Sequence, residues 1–229
     1  MVVQFILLAV GAYLLGSVPT AYLAIKSSRG VDIRKVGTGK VGAANILNAG
    51  PKWMAVPVAL FDIGKGALVV WIAKIIGLTT VQQVTVGLLA IVGHNWPIYL
   101  GFKSGGRGVS VSFGVISILS WEIGLIALIC TYILAPIKQV AFGVFIALIS
   151  LPFLSYFLAK PFGIVDRLPI TCGFGVLTAM ALSKRLVAHR TELSKNIPLR
   201  KVIVSRLLFD RDISDRRLWI SRGSKSNGQ

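Results

Sequence analysis

The chain has 229 residues, of which 55% are hydrophobic and only 14% are charged, and its mean hydropathy is +0.77. A soluble domain of this length carries about 25% charged residues, and several apolar runs approach the roughly 20 residues that cross a bilayer. The composition therefore excludes an ordinary soluble domain and predicts an all-α polytopic integral membrane protein. The net charge of +17 is spread over short loops and a tail, which favours cytoplasmic loops and anionic lipids over nucleic acid as its cause.

Predicted spans alternate with short loops along the chain. Val2 to about Ile25 is the first span, and the small and polar residues of Gly16–Thr20 let a neighbouring helix approach it closely. The next loop, Lys26–Lys40, carries five basic residues against Asp32, so the positive-inside rule makes it cytoplasmic. The other predicted spans are about Ala55–Ile76, Val81–Leu100, Gly108–Leu119, Ile123–Pro136, Gln139–Leu158 and Leu168–Val187.

The apolar stretch Gly108–Pro136 decides the number of crossings. Its 29 residues would form a helix of about 44 Å, which is longer than a hydrocarbon core of about 30 Å. Ser120-Trp121-Glu122 interrupts it, so we divide it there. The result is seven crossings, some of them short, with the N-terminus outside and the C-terminus cytoplasmic. Residues 1–195 form the membrane domain, and residues 196–229 form a basic cytoplasmic tail that is partly amphipathic or disordered.

Two glycine-rich loops offer candidate anion sites. Gly37–Asn45 reads G-T-G-K-V-G-A-A-N, and residues 105–108 read G-G-R-G after Lys103. Glycines allow main-chain N–H groups to converge on an anion, and a helix that begins near Gly108 would add its dipole. The alternative is that the second loop is a basic turn between two membrane helices and binds nothing.

Asp62 and Lys65 lie inside a predicted span, where ionisable groups are costly. They either line a polar pocket or neutralise each other as a pair spaced i,i+3. His94 precedes the second glycine-rich loop, and we expect it to orient that loop. Cys130 and Cys172 lie in apolar runs without metal-type spacing, so we expect no metal site.

The order of these motifs resembles the bacterial acyl-phosphate:glycerol-3-phosphate acyltransferases, over about residues 1–195. The resemblance rests on G-S-V-P at 16–19, D-I-R at 32–34, G-T-G-K-V-G-A-A-N at 37–45, D-I-G-K-G at 62–66, G-H at 93–94, F-K-S-G-G-R-G-V at 102–109 and H-R at 189–190. It implies a seven-helix membrane fold with the same orientation as above. It also implies acyl transfer from acyl phosphate to the 1-hydroxyl of glycerol 3-phosphate, which gives lysophosphatidic acid for phospholipid biosynthesis.

The resemblance also implies a site and a location. Its catalytic residues are His189, Thr38 and Arg107, without a cofactor or metal, in a bacterial plasma (inner) membrane with the active face cytoplasmic. Acyl phosphate, glycerol 3-phosphate and membrane lipids are the expected partners, and nucleic acid is not. Substrate binding is expected from Gly37, Thr38, Gly39, Lys40, Asn45, Lys65, Lys103, Gly105, Gly106, Arg107, Gly108 and His189.

The chain departs from the family pattern at several positions. Ser104 is an extra residue, and substitutions are present at Thr38, Lys40, Ala44, Asn48, Arg107 and Glu192. Thr38 and Arg107 keep a donor and a charge, whereas Glu192 adds a negative charge where an anion is expected. Two alternatives therefore stand beside catalysis. One is a catalytically impaired member that binds phosphorylated lipid precursors as a scaffold or regulator, and the other, less favoured, is an anion transporter.

Overall fold

The computed structural model describes residues 1–36, 38–187, 191–215 and 218–219, without the side chains of Asn48 and Ala49. Over these ranges the chain forms ten α-helices and no strand, which confirms the predicted all-α class. They are α1 (Val2–Ser17), α2 (Thr20–Arg29), α3 (Ala43–Ala49), α4 (Ala55–Ile75), α5 (Thr80–Asn95), α6 (Val109–Leu119), α7 (Trp121–Tyr132), α8 (Val140–Phe157), α9 (Arg167–Leu186) and α10 (Leu199–Phe209).

Three of the described helical stretches are long and apolar enough to cross a membrane: Val2–Arg29, Lys52–Ile75 and Val140–Phe157. The shorter apolar helices α6 and α7 lie on either side of Ser120, so the predicted division of that stretch is confirmed. Ser120 has an extended backbone, and its hydroxyl accepts a bond from Ile123 N. The fold is that of an integral membrane protein, and seven crossings with the N-terminus outside stay a prediction.

The first predicted span is divided between α1 and α2 at Val18 and Pro19. A proline disfavours helical backbone at the residue before it, and Val18 has ψ 113°. The break leaves the Val18 carbonyl available to Lys65 of α4, whose Nζ donates to it at 3.1 Å. Thr20, the first residue of α2, donates its hydroxyl to Asp62 at 3.1 Å. The Gly-Ser-Val-Pro-Thr segment and the Asp62–Lys65 pair are therefore parts of one polar contact.

Helix α5 contacts α1, α4, α6 and α9, so it is central to the bundle. At its crossing with α1, Gly16 lies against the Ala90 backbone and Gly93 against the Tyr13 carbonyl, where a Cβ would collide. This close approach at Gly16 is the one predicted from the sequence. The predicted extension of this span to Leu100 is wrong, because the helix ends at Asn95 before Pro97.

The first part of the predicted tail is built into the bundle. Helix α10 contacts α8 and α9, and Val202 on its inner face is fully buried. Its outer face exposes Leu199, Ile203 and Val204, which is typical of a helix at an apolar boundary. The chain therefore carries residues of the tail back to the ends of α8 and α9.

Candidate functional site

The first glycine-rich loop is shaped by Asn45, which is buried in α3. Its Nδ2 lies 3.0–3.1 Å from the carbonyls of Ile33, Val36 and Lys40, and its Oδ1 accepts a bond from Thr38 N at 2.7 Å. Because both ends of the amide bind main chain, Asn45 fixes the loop that carries Lys40. This differs from the direct substrate contact that we predicted for it.

The second loop packs tightly against the end of α5. The α-hydrogens of Gly105 and Gly106 face the backbone of Asn95 and the ring of His94, where a Cβ would collide. Gly106 N also donates to His94 O at 3.1 Å, so this N–H is not available to an anion. Gly108 has φ 73° and is the N-cap of α6, so the predicted helix start is confirmed. These contacts fix the direction in which Arg107 leaves the loop.

Lys40 and Arg107 converge on a carboxylate from the tail. Lys40 Nζ lies 2.9 Å from Asp210 Oδ2, and Arg107 Nη2 lies 2.7 Å from Asp210 Oδ1. Asp210 is the residue after α10 and has left-handed backbone, with φ 53° and ψ 36°. Arg185, at the end of α9, adds a third positive charge close to this carboxylate. We call these four residues the Asp210 cluster.

Lys40, Arg107 and Asp210, the members of the Asp210 cluster that lie in loops, have shifted pKa values. Burial lowers the pKa of Lys40 to about 8, although Asp210 opposes the shift. Burial also lowers the pKa of Arg107, again against Asp210. For Asp210 itself, burial alone would raise the pKa, but the charges of Lys40, Arg107 and Arg185 outweigh it and lower the pKa below the usual range. The carboxylate is therefore charged at neutral pH.

A separate set of bonds holds α10 in place. Arg185 donates to Leu207 O, and Arg206 donates to Leu186 O at 2.7 Å. Asp212 accepts bonds from Arg206 Nε at 2.7 Å and from Thr191 and Ser194 at 2.9 Å. Burial would raise the pKa of Asp212, but these bonds outweigh it and lower the pKa to about 2. The tail is therefore anchored independently of the contacts that Asp210 makes.

Other predicted site residues are not members of the Asp210 cluster. Lys103 is exposed, and Lys65 is buried against Asp62 at 2.9 Å, with His94 Nδ1 3.8 Å from the same carboxylate oxygen. We call Asp62, Lys65, His94 and Thr20 the Asp62 cluster. Of the two interpretations of Lys65, an ion pair with Asp62 fits these contacts better than a position in the lining of a pocket.

Thr38 and Gly39 lie in the first loop beside Lys40, where Gly39 has φ 71°. Gly37, His189 and the side chain of Asn48 lie outside the described residues. Glu192 is not part of the Asp210 cluster. Its side chain is 83% exposed and lies 2.7 Å from Lys195. The expected negative charge at the anion site is present, but Asp210 supplies it.

Two members of the cluster were missed from the sequence. Arg185 ends a predicted span next to Lys184, and this basic pair at a cytoplasmic helix end was a usable signal. Lys184 Nζ donates to Asn95 O at 2.7 Å, at the end of α5 against which the second loop packs. Nothing near Asp210 in the sequence indicated that its side chain would meet Lys40.

Comparison with known proteins identifies the family. The family model described as glycerol-3-phosphate acyltransferase matches residues 6–197. The chain belongs to the glycerol-3-phosphate acyltransferase family. Glycerol-3-phosphate acyltransferase 5 of Dehalococcoides mccartyi is 38% identical over 96% of this chain and 94% of its own length. Glycerol-3-phosphate acyltransferase 4 from another strain of that species is 37% identical over 97% and 96%.

A solved structure agrees with this membership. The glycerol 3-phosphate form of PlsY, an integral membrane glycerol 3-phosphate acyltransferase, has a TM-score of 0.70 and 30% identity over 80% of this chain and 88% of its own. Its lysophosphatidic acid form has a TM-score of 0.67 and 27% identity over the same shares. The resemblance seen in the motifs is therefore confirmed, and this chain is an integral membrane member of an acyltransferase family in phospholipid biosynthesis.

Proposed function

We propose that this acyltransferase moves a fatty acyl group from an acyl phosphate to the 1-hydroxyl of glycerol 3-phosphate, and so makes lysophosphatidic acid and phosphate. The observation that carries the proposal is the convergence of Lys40 and Arg107, from two glycine-rich loops, on one anion. Both substrates are phosphorylated, and Lys and Arg at this spacing bind phosphate oxygens as they bind a carboxylate. The names of the relatives support the acceptor.

The reaction needs alignment and charge neutralisation more than covalent catalysis. The hydroxyl oxygen attacks the acyl carbon, an ester bond forms, and the bond between the acyl carbon and the phosphate oxygen breaks. The electron pair leaves on phosphate, and the hydroxyl proton passes to that phosphate or to His189. Because acyl phosphate is already activated, alignment of the two substrates and the positive charge of the site supply the catalysis. The scheme uses no cofactor or metal.

The geometry changes our assignment of binding residues to the two substrates. We predicted that the first loop holds the acyl phosphate and that Lys103, Arg107 and His189 hold glycerol 3-phosphate. Lys40 and Arg107 contact the same carboxylate, so we now assign both to the phosphate of glycerol 3-phosphate. This assignment predicts that Lys40→Met and Arg107→Ala raise the KM of the same substrate. If the two variants raised the KM of different substrates, the original assignment would be correct.

The membrane location extends the same proposal. We place the enzyme in a bacterial inner membrane with seven crossings, the Asp210 cluster on the cytoplasmic face. In support, Lys26–Lys40 and the described part of the tail are rich in basic residues and both reach this cluster. Cytoplasmic loops carry such an excess of Lys and Arg. Accessibility labelling of single cysteines introduced in these two segments, in intact cells and in inverted vesicles, tests the orientation.

The deciding experiment uses the purified full chain in lipid with palmitoyl phosphate and glycerol 3-phosphate. Phosphate release and lysophosphatidic acid, measured by mass spectrometry, are both expected, and both are expected to fall in Arg107→Ala. Palmitoyl-CoA in place of palmitoyl phosphate is expected to give no product. Product from palmitoyl-CoA alone would show that the proposed donor is wrong.

A second candidate is a member that binds phosphorylated lipid precursors without turnover. The observation in its favour is that a carboxylate of the protein already occupies Lys40 and Arg107. Folded protein that binds glycerol 3-phosphate but forms no product with either donor would establish it. Lysophosphatidic acid formation that depends on Arg107 would exclude it.

A further inference from the structure

We propose that Asp210 is a specificity-determining residue: its carboxylate competes with substrate for Lys40 and Arg107, so only a doubly charged phosphate binds well. This inference rests on the proposed function, because it takes these two cations as the substrate-phosphate site. It assigns a role to the tail that the reaction itself does not require. The three following observations support it.

First, the contact geometry of Asp210 is that of a bound ligand. Each carboxylate oxygen meets a different cation, Oδ2 at 2.9 Å from Lys40 and Oδ1 at 2.7 Å from Arg107. A phosphate can bridge the two cations in the same way and has a further oxygen. Among the described residues, Arg107 Nε and Asp210 Oδ1 are both buried without a hydrogen-bond partner, so the contact of Arg107 with Asp210 is an ion pair without a hydrogen bond, and a donor is available for that oxygen. Asp210 therefore satisfies the site less completely than a phosphate does.

Second, positive charge exceeds negative charge around Asp210, and the Arg206–Asp212 pair that also acts on Arg107 does not change this difference, because its two charges cancel. Lys40, Arg107 and Arg185 bring three positive charges to one carboxylate. A phosphate monoester carries close to two negative charges at neutral pH. An exchange of Asp210 for a phosphate dianion therefore improves the charge balance, whereas an exchange for a monoanion gains nothing. This asymmetry is the source of the selectivity.

Third, the tail is anchored by other residues, so Asp210 can leave its cations without release of the whole tail. Arg206 donates to Leu186 O, and Asp212 accepts bonds from Thr191 and Ser194. Asp210 follows the last turn of α10 and has left-handed backbone. Withdrawal of Asp210 requires movement only near this turn.

The test compares binding of glycerol 3-phosphate and of glycerate, a monoanion with a similar skeleton, to wild type and Asp210→Asn. Asparagine tolerates left-handed backbone, so the variant keeps the shape of the turn and loses only the charge. We expect glycerol 3-phosphate to bind about tenfold more tightly to Asp210→Asn by isothermal titration calorimetry. We also expect measurable glycerate binding in the variant and none in wild type.

The control is Asp166→Asn, which makes the same charge change at the start of α9, where Asp166 accepts a bond from Thr80. It is expected to leave both affinities unchanged. Unchanged or weaker binding of glycerol 3-phosphate by Asp210→Asn would overturn the proposal. An equal gain in both variants would also overturn it, because a general loss of negative charge would then explain the gain.

Arg107→Ala separates this proposal from the proposed function. If Arg107→Ala does not weaken glycerol 3-phosphate binding, these cations are not the site of its phosphate and the role of Asp210 fails, while the proposed reaction is still judged by product formation from palmitoyl phosphate. If it weakens binding while Asp210→Asn does not tighten it, only the competitive role of Asp210 fails. A second measurement on wild type is hydrogen exchange, and we expect glycerol 3-phosphate to increase exchange at the last turn of α10. Unchanged exchange in the bound state would argue that Asp210 is never displaced.

Discussion

The Asp62 and Asp210 clusters contain similar groups but differ in how they are enclosed. Asp62 and Lys65 lie one turn apart on α4, and their side chains are 3% and 1% exposed. Lys40, Arg107 and Asp210 come from three distant segments, and their side chains are 24%, 16% and 22% exposed. The first pair is enclosed by the bundle, and the three residues of the second set are partly exposed.

The partners of the two carboxylates differ in the same sense. Asp62 also binds Thr20, and Lys65 binds the Val18 carbonyl, so both charges stabilise the break between α1 and α2. Asp210 contacts Lys40 and Arg107, which are in the two glycine-rich loops, whereas the third cation of the cluster, Arg185, also bonds to Leu207 O of α10. The comparison teaches that a buried ion pair in a membrane protein can be structural or exchangeable, and that enclosure and additional partners distinguish the two.

Lys65→Met is expected to have the largest effect. It leaves the Asp62 carboxylate buried without its cation, which typically costs about 3–5 kcal/mol of stability. Thermal unfolding in detergent should show the loss, and added phosphate should not restore it. The double variant Asp62→Asn/Lys65→Met, which removes both charges, is expected to recover much of the stability. Wild-type stability in Lys65→Met would show that this pair is not structural.

Arg107→Ala is expected to impair binding instead of folding. A hydrogen bond to a charged group contributes about 1.5–3 kcal/mol, so the KM for glycerol 3-phosphate should rise about 10- to 150-fold. Steady-state kinetics and thermal unfolding are measured on the same preparation. Arg107→Lys, which keeps the charge without the planar fork, should have a smaller effect. A large fall in melting temperature with unchanged KM would reverse the assignments of the two clusters.

Asn45→Ala tests whether the Asp210 cluster depends on the conformation of the first glycine-rich loop. Removal of the amide leaves the Thr38 N–H and the bonded carbonyls without their buried partner. We expect this to lower the free energy of unfolding by about 1–3 kcal/mol. Because Lys40 is on the same loop, binding of glycerol 3-phosphate should weaken as well. Calorimetry measures both effects. Loss of stability alone would separate the loop from the site.

The pH dependence of binding tests Lys40. Its pKa is lowered to about 8, so the amino group is charged below that pH and loses its charge as the pH rises through it. The dissociation constant of glycerol 3-phosphate should therefore rise above pH 8, by up to about tenfold per pH unit. Lys40→Arg, which stays charged, should bind with little change between pH 7 and 9. If the dissociation constant rose equally with pH in wild type and in Lys40→Arg, a group other than Lys40 would be responsible.

Glu192→Asn is expected to have the smallest effect. The Glu192 side chain is exposed and its partner Lys195 is on the surface, and exposed ion pairs contribute little. The KM for glycerol 3-phosphate should change less than twofold, in contrast to the gain expected from Asp210→Asn. A large gain from Glu192→Asn would place the competing charge there instead.

Much of the fold was predictable because hydrophobic length and breaking residues act locally. The interruption at Ser120-Trp121-Glu122 predicted two short helices, and the glycines around Arg107 predicted a helix start at Gly108. The end of α5 was placed too late, because Trp96 and Leu100 continued the apolar pattern while Pro97 ended the helix.

The site was only partly predictable. The two loops and their cations were found from glycine and lysine or arginine in sequence. The function of Asn45 was not, because its partners are main-chain carbonyls that carry no sequence signal. Asp210 was missed because its contact with Lys40 depends on how α10 docks, and that docking uses bonds from Arg185 and Arg206 to main-chain oxygens.

The short helix α7 has a consequence for the surrounding lipid. Its 12 residues extend about 18 Å, and its outer face exposes the apolar side chains of Leu125, Leu128, Ile129 and Tyr132. In the predicted seven-crossing arrangement, α7 is shorter than a bilayer core of about 30 Å, and tilting would only reduce its span further. Hydrophobic mismatch therefore favours local thinning of the bilayer beside α7, and lipids with shorter chains should accumulate there.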